Sequence, residues 1–592
     1  MSIVPPTRRF LLVMVKPSHY DDEGYVIQWF RSPIPANSLA CLYGIAQSLR
    51  GGGAIGDLAL DLEAIDESNT RVRPDVIARQ ITAAGAGMVM LVGVQSNQFP
   101  RALDLAARLR ALDVTVAIGG FHVSGTLAML PGVEANVQRA LDLGCTIFAG
   151  EAENGRLAQV IADAQAGALK PIYNFMNDLP GLEGAPIPHL PAQVVARTFG
   201  ANSSFDAGRG CPFQCSFCTI INVQGRKSRR RTPDDIEKII RDNAAQGIIR
   251  YFITDDNFAR NKDWEAIFDR LIHLRENQAI PIRMIIQVDT LCHRLPRFIE
   301  KAARAGVRRV FIGLENISPD NLAAAKKKQN HITEYRAMLL AWKQAKVLTY
   351  CGYITGFPND TPERILRDVA TVKRELPVDI LEFFYLTPLP GSEDHQKLAK
   401  AGVWMDPDLN TYDLNHACTG HALMTKQAWE AAYLGAWRSF YTRDHVRTVL
   451  RRAAATRNSV GKTLFLLGWF MGAIHIEDLH PLECGLLRRK ARTDRRPGRP
   501  IEPALIFYPK YAMETAAKLA RWAALFAQFW LMYYQVKYAP DRLTYMDEAL
   551  TPVGDAEEEA LAMFQTDEAK IYVSQERRMA DIRASVGAGA GR

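Results

Sequence analysis

The sequence predicts an α/β chain: two successive βα series, then a mainly helical last part. Three features carry this. Short buried-type strands alternate with amphipathic helices over the first 168 residues, the same alternation resumes after a Pro/Gly-rich interval, and beyond about Lys397 the runs become helical and aromatic-rich. The 592 residues, 48% hydrophobic and 23% charged, belong to a folded chain of two to four domains rather than a disordered or fibrous one.

In the first series, Arg9–Val15, Asp57–Ile65, Met88–Val94, Val114–Ile118 and Cys145–Phe148 are the strands. Ser38–Arg50, stopped by Gly51-Gly52-Gly53, Pro74–Ala84 and Pro100–Leu112 are the helices. Such a pattern predicts a parallel sheet covered on both faces, with ligands at the carboxyl ends of its strands. Gln95-Ser96-Asn97 and Gly119-Gly120-Phe121-His122 follow two of those strands and are the ligand-site candidates of this domain. Residues 169–198 read as a linker. The second series has strands at Ser203–Asp206, Arg250–Thr254, Arg283–Val288, Arg309–Leu314, Thr349–Thr355 and Ile380–Leu386. Six βα units over residues 199–396 predict a partial barrel, with its chemistry at the C-terminal strand ends. Residues 397–550 form the helical part, with helices at Lys426–Tyr441, Asp444–Arg457, Lys462–Ile474 and Tyr511–Tyr538, divided by the basic stretch Arg488–Pro500. From residue 551 the polar, Gly/Ala-rich end reads as a flexible tail.

The net charge of +8 suits anionic ligands or an acidic surface, but no nucleic-acid motif is present. The first residues lack the long apolar run of a signal peptide. The apolar runs Leu464–Ile474 and Trp522–Tyr534 fall short of the ~20 residues that span a bilayer. They read as buried helices or as peripheral contacts with a membrane. Nine cysteines, three of them clustered, predict no disulfide framework and a reducing, cytoplasmic setting.

Those three cysteines stand in Gly210-Cys211-Pro-Phe-Gln-Cys215-Ser-Phe-Cys218, just after the first strand of the barrel series. Thiolates at C-x3-C-x2-C spacing can hold three corners of a cubane cluster and leave a fourth iron open to a substrate. A zinc site is the alternative, but zinc asks for four ligands and no second Cys/His pair stands out.

On this motif the chain resembles the radical S-adenosylmethionine (SAM) superfamily, in particular its cobalamin-binding, class B methyltransferase-like members, over roughly residues 10–400. The resemblance implies a [4Fe–4S] cluster on Cys211, Cys215 and Cys218 and cleavage of SAM to a 5′-deoxyadenosyl radical. Gly352-Tyr-Ile354-Thr-Gly356 resembles the family's fifth-strand contact with adenine, and Glu315, ending the fourth strand, is the candidate for the SAM ribose. Thr254-Asp255-Asp256-Asn257 stands where many relatives have Gly-Gly-Glu, which makes Asp255 or Asp256 the candidate for the SAM amino group. The first domain resembles flavodoxin-like cobalamin-binding domains: Gln95, Ser96 and Asn97 would meet the corrin, Gly119, Gly120 and His122 the nucleotide tail, and Gly150-Glu151-Ala-Glu153 resembles the family's Gly-Glu-x-Glu turn. The D-x-H-x-x-G motif that supplies an axial histidine elsewhere is absent.

The implied activity is cobalamin-dependent methylation of an unactivated carbon of a lipid or other apolar metabolite, with flavodoxin or ferredoxin as electron donor. A radical cyclase or rearrangement enzyme, and a non-catalytic cobalamin or redox sensor, are the alternatives. A weaker likeness, resting on short stretches such as Asn222–Arg231, is to hopanoid methylases. That basic segment reads either as a contact for an anionic partner or as a solvated loop. Trp429, Trp437, Trp469 and Trp530 would suit a bulky apolar substrate or a plain helical core.

Overall fold

In a computed structural model that describes residues 9–50, 54–486, 488–551 and 560–589, the first series forms a six-stranded parallel sheet. Its strands are β1 (Arg9–Lys16), β2 (Ala59–Asp66), β3 (Gly87–Leu91), β4 (Val116–Gly119), β5 (Thr146–Ala149) and β6 (Ile172–Asn174), in the order β2-β1-β3-β4-β5-β6. The first five follow the flavodoxin-like order, with the switch point between β1 and β3. Leu12, Val13, Met14 and Val15 of β1 are all fully buried. Leu12 and Met14 join the core on one face, Val13 and Val15 the core on the other, as a central strand with helices on both sides requires. The Pro74–Ala84 helix matches its predicted bounds, opened by Pro74 at the first helical position and closed by the left-handed Gly85. The Gly51-Gly52-Gly53 stop lies outside the described residues.

The linker reading fails at Ile172–Asn174. Within the Pro/Gly-rich interval these three residues pair with β5 and make the edge of the first sheet. A three-residue strand is too short to show a periodicity.

The second series is also parallel: β7 (Asn202–Phe205), β8 (Arg250–Ile253), β9 (Arg283–Val288), β10 (Val307–Glu315), β11 (Leu348–Thr355) and β12 (Ile380–Tyr385), neighbours in chain order. This is a six-stranded partial barrel. On β10 the outward Val310, Ile312 and Leu314 are fully buried under helices, whereas Phe311 and Gly313 on the inner face stay partly exposed. The same holds for Tyr350 on β11, so the inner face is left open for a ligand.

The helical part covers one side of the barrel. Trp429 and Trp437 of helix Lys426–Phe440 are fully buried, and Trp469 is half-buried. These three are core rather than substrate contacts; Trp530 is exposed. Helix Val460–Gly472 touches the barrel through Phe470 on Tyr350 (5.6 Å) and Phe465 on Phe199 (6.1 Å), just ahead of β7. Arg488–Arg489 form a short antiparallel bridge with Gln28–Trp29, so the basic stretch straps the helical part to the first domain. Pairs such as Arg71–Asp494 (2.8 Å) and Arg496–Asp408 (2.6 Å) tighten it.

The flexible-tail reading is corrected for residues 560–579; 552–559 and 590–592 lie outside the described residues. Leu561, Met563, Phe564 and Ala569 are buried in the main core, and Glu375 accepts from the backbone N–H of Ala562 and Met563 at 2.9 and 3.0 Å. The surrounding sequence is polar, and four apolar anchors were too few to show through it.

Candidate active site

The cysteine loop is stapled at its base. Gly208-Arg209 pairs antiparallel with Arg229-Arg230, closing 210–228 into one loop at the C-terminal end of β7. Within it, Cys211 N–H donates to Gly225 (3.2 Å), Ser216 N–H to Ala325 (3.0 Å), and the Gln329 amide to Cys215 Sγ (3.3 Å). Burial pushes the Cys211 thiol up to about 11 and Cys218 to about 12, and the neighbouring thiols and Asp256 add to both shifts. The three thiols belong to one short loop. Among the described residues no three Cys, His, Asp or Glu side chains converge as they would on a single ion. Thiols spaced along one loop in this way would suit three corners of a cluster.

The other predicted strand-end residues surround this loop. Glu315 ends β10 with a backbone φ of +63°, at an irregularity in the β10–β11 register. Its carboxylate pairs with Lys327 at 2.6 Å. A non-glycine residue held in this region is strained, a state found at functional sites. Lys327 also lies over the Phe217 ring (5.6 Å). Burial alone would lower its ammonium, but Glu315 and the thiols of Cys215 and Cys218 outweigh it and keep it charged. Asp255 is turned inward: it accepts from the backbone N–H of Ala207 (2.6 Å) and Gly208 (2.9 Å), bracing the approach to the loop. Asp256 is the one that faces the cysteines. Burial pushes both carboxyls up to about 7.

On β11, a Cβ on Gly352 would meet Phe311 at 3.0 Å, and Ile354 packs with Phe357, Ala325 and the loop's Phe217. Gly356 has a different role. Its φ is +97°, its N–H donates to Asp360 (2.8 Å), and a Cβ there would fall 1.8 Å from Trp429. Its place is thus explained by the indole of the helical part. Gly356→Ala is expected to cost about 2–4 kcal/mol through strain and a displaced tryptophan, which a lowered thermal midpoint and a shifted Trp429 fluorescence would report.

The first domain holds a cavity of about 160 Å³ at the C-terminal ends of β3, β4 and β5. Its walls are apolar, with Ile45, Met90 and Ala117 among them; Gly119 and Gly120 line it as predicted. Gly120 has a φ of +147°, and a Cβ there would strike Val94 N at 2.1 Å, so only glycine lets the two turns cross. Gln95, Ser96, Asn97 and His122 do not line this cavity. After β3 the chain enters a tight turn, Ser96–Gln98, that leads into the helix beginning at Phe99; Ser96 is buried there and Gln95 is exposed. His122 packs on Phe99 (4.3 Å) and bonds Ser96 (3.2 Å).

Residues the sequence reading missed line the cavity instead: Cys41, Ser124, Arg209 and Gln224. Arg209 directly precedes Gly210-Cys211. Its guanidinium reaches Glu151 and Glu153 (2.7 Å each) and Asp206 (2.8 Å). Glu151 also pairs with Arg229, Asp206 with Arg231 (3.5 Å), and Asp263 with Arg230. Arg229, Arg230 and Arg231 are thus structural, neither a solvated loop nor a free contact. The Gly-Glu-x-Glu turn of the first domain grips the root of the cysteine loop.

Residues 207–372 match the family model described as the radical SAM superfamily. The chain is 25% identical over 346 residues to a bacteriochlorophyllide d C-8(2)-methyltransferase of Chlorobaculum tepidum, covering 55% of this chain and 72% of that protein. It is 26% identical over 266 residues to a hopanoid C-2 methylase of Rhodopseudomonas palustris, covering 44% of this chain and 48% of that one. Among solved structures, the radical SAM methyltransferase TsrM of Kitasatospora setae, with cobalamin and a [4Fe–4S] cluster bound, superposes with a TM-score of 0.55 at 15% identity, covering 74% of this chain and 90% of that one; this likeness shows a shared fold. With the three cysteines standing at the start of the matched segment, on a strand end of a partial barrel, the chain carries a radical SAM domain over residues 207–372, behind a first domain of flavodoxin-like strand order.

Proposed function

We propose that this protein is a radical SAM enzyme that methylates an unactivated carbon of a bulky apolar metabolite with the help of cobalamin. When both cofactors are bound, the cluster supplies the electron that cleaves SAM to the 5′-deoxyadenosyl radical, and cobalamin supplies the methyl group. Cys211, Cys215 and Cys218 would hold the cluster. Glu315, Lys327 and Asp256, beside the cysteine loop, would orient the polar end of SAM, with Ile354 and Phe217 as the apolar wall. The first-domain cavity would take the buried tail of cobalamin: its lining is mainly apolar, with Ser124, Glu153 and Arg209 as polar partners.

The observation that carries this function is Arg209. One residue lines the first-domain cavity and leads into the cysteine loop, so the two cofactor sites face the same space. Phe252, Phe311, Tyr350 and Phe384, partly exposed inside the barrel, suit an apolar substrate, as do the tetrapyrrole and hopanoid named for the two relatives. Exposed Arg226 and Lys227 on the cysteine loop would meet an acidic flavodoxin or ferredoxin. Protein purified without oxygen and supplied with iron, sulfide, cobalamin, SAM and a reductant should form 5′-deoxyadenosine, read by mass spectrometry, and carry cobalamin in its visible spectrum. Deoxyadenosine without bound cobalamin would remove methylation; cobalamin with no deoxyadenosine from cluster-loaded protein would favour a sensor.

A further inference from the structure

Helix Ala504–Lys537 is apolar on both sides. Its inner face packs on the helical part through Trp522, Leu525, Phe529, Met532 and Val536, and on Tyr25 of the first domain through Phe507 (5.8 Å). The opposite face looks outward. Leu505 is 90% exposed, Met513 69%, Leu531 65% and Trp530 57%, and Ile506, Tyr534 and Tyr538 join them. Between these lie Ala512, Ala516, Ala520, Ala523 and Ala527. At 3.6 residues per turn, all of these fall on the side opposite the buried Val536. No acidic side chain interrupts the stripe; Glu514 lies on the inner side of the helix.

A helix of 34 residues is roughly 50 Å long. An apolar stripe of that length exceeds what a folded monomer leaves in water without use. No described helix is long and apolar enough to cross a membrane, and this one is held along its whole length by its inner face. It therefore presents its side rather than its end.

We infer that this outward face docks on a lipid bilayer bearing anionic head groups, with the helix lying in the interface plane. Two observations choose the bilayer over a second copy of the chain. Exposed Lys510 and Lys537 border the stripe, where they would meet phosphate groups. Trp530, Tyr534 and Tyr538 gather at one end, and such rings with a polar edge favour the water–lipid boundary. The apolar surface continues from Phe526 to Phe465 (6.2 Å) and Phe199 (6.1 Å), at the entry to β7. The docked face thus leads to the edge of the partial barrel.

The test is flotation of the full chain with vesicles of phosphatidylcholine, with and without phosphatidylglycerol. The wild-type protein is expected to float with the anionic vesicles, less with the neutral ones, and less again in high salt. Brominated lipid should quench its fluorescence, and Trp530→Phe should remove that quenching. Met513→Glu with Leu531→Glu should weaken vesicle binding roughly tenfold or more, from two carboxylates placed against lipid; both positions are exposed, so folding is spared. Failure to float, or flotation unchanged by the double substitution, would overturn the proposal. So would a dimer in light scattering that the same substitutions dissolve, which would make a second copy the occupant. Deoxyadenosine formation measured without lipid reports on the barrel alone, so failure of docking and failure of the proposed chemistry are told apart.

Discussion

Cys218→Ala is expected to abolish 5′-deoxyadenosine formation, a loss of roughly three orders of magnitude or more, while leaving the fold and the first domain intact. The thiol's backbone bond, Cys218 N–H to Cys215 carbonyl at 3.2 Å, does not depend on its side chain. What is lost is one of three corners. A cluster held by two thiolates of a short loop has neither its geometry nor its share of the binding energy that links metal to loop structure. The charge-transfer absorption of reconstituted protein should fall with the activity, and cobalamin in the visible spectrum should stay. Cys145→Ala, in the first-domain core, is the control and should keep both. Deoxyadenosine at wild-type yield from Cys218→Ala would place the chemistry elsewhere.

Arg209→Met is expected to cost about 3–5 kcal/mol, because it strips the shared cation from three buried carboxylates; the thermal midpoint should fall on the order of 10 °C. The effect has a pH signature. Burial alone would raise Asp206, but Arg209 and Arg231 outweigh it and hold its carboxyl down at about 2. A carboxyl depressed in the folded state adds stability above its ordinary value and loses it as pH falls towards the folded value. The stability gap between wild type and Arg209→Met should therefore be full at neutral pH and narrow between about pH 4 and 2. Since Arg209 also lines the first-domain cavity, cobalamin should bind more weakly. A gap independent of pH would mean that Arg209 acts by packing alone.

All the strands of both sheets except the three-residue edge strand Ile172–Asn174 were legible, because each carries its own run of apolar residues. The cysteines were legible because their chemistry lies in one short spacing. Arg209 was not: its partners Glu151 and Glu153 come from another domain, and nothing in Gly208-Arg209-Gly210 marks a buried ion pair. Gln95, Ser96 and Asn97 stand at the expected strand end, but the tight turn there decides which of them is buried, and His122 sits in the helix after the next strand with its ring on Phe99. The apolar content of the last long helix was visible at Trp522–Tyr534, yet which half of it the fold would cover depends on helices far away in sequence.

The first domain's helix Phe121–Met129 crosses the turn after β12 at two glycines, where a Cβ on Gly125 would lie 2.5 Å from Pro390 O and one on Gly391 2.7 Å from Gly125 Cα. Backbone rests on backbone there, with no side chain between to rotate or yield. The two halves are consequently locked like a keyed joint rather than hinged. A side chain at either position would prise the two backbones apart, so this joint admits glycine alone on both of its faces.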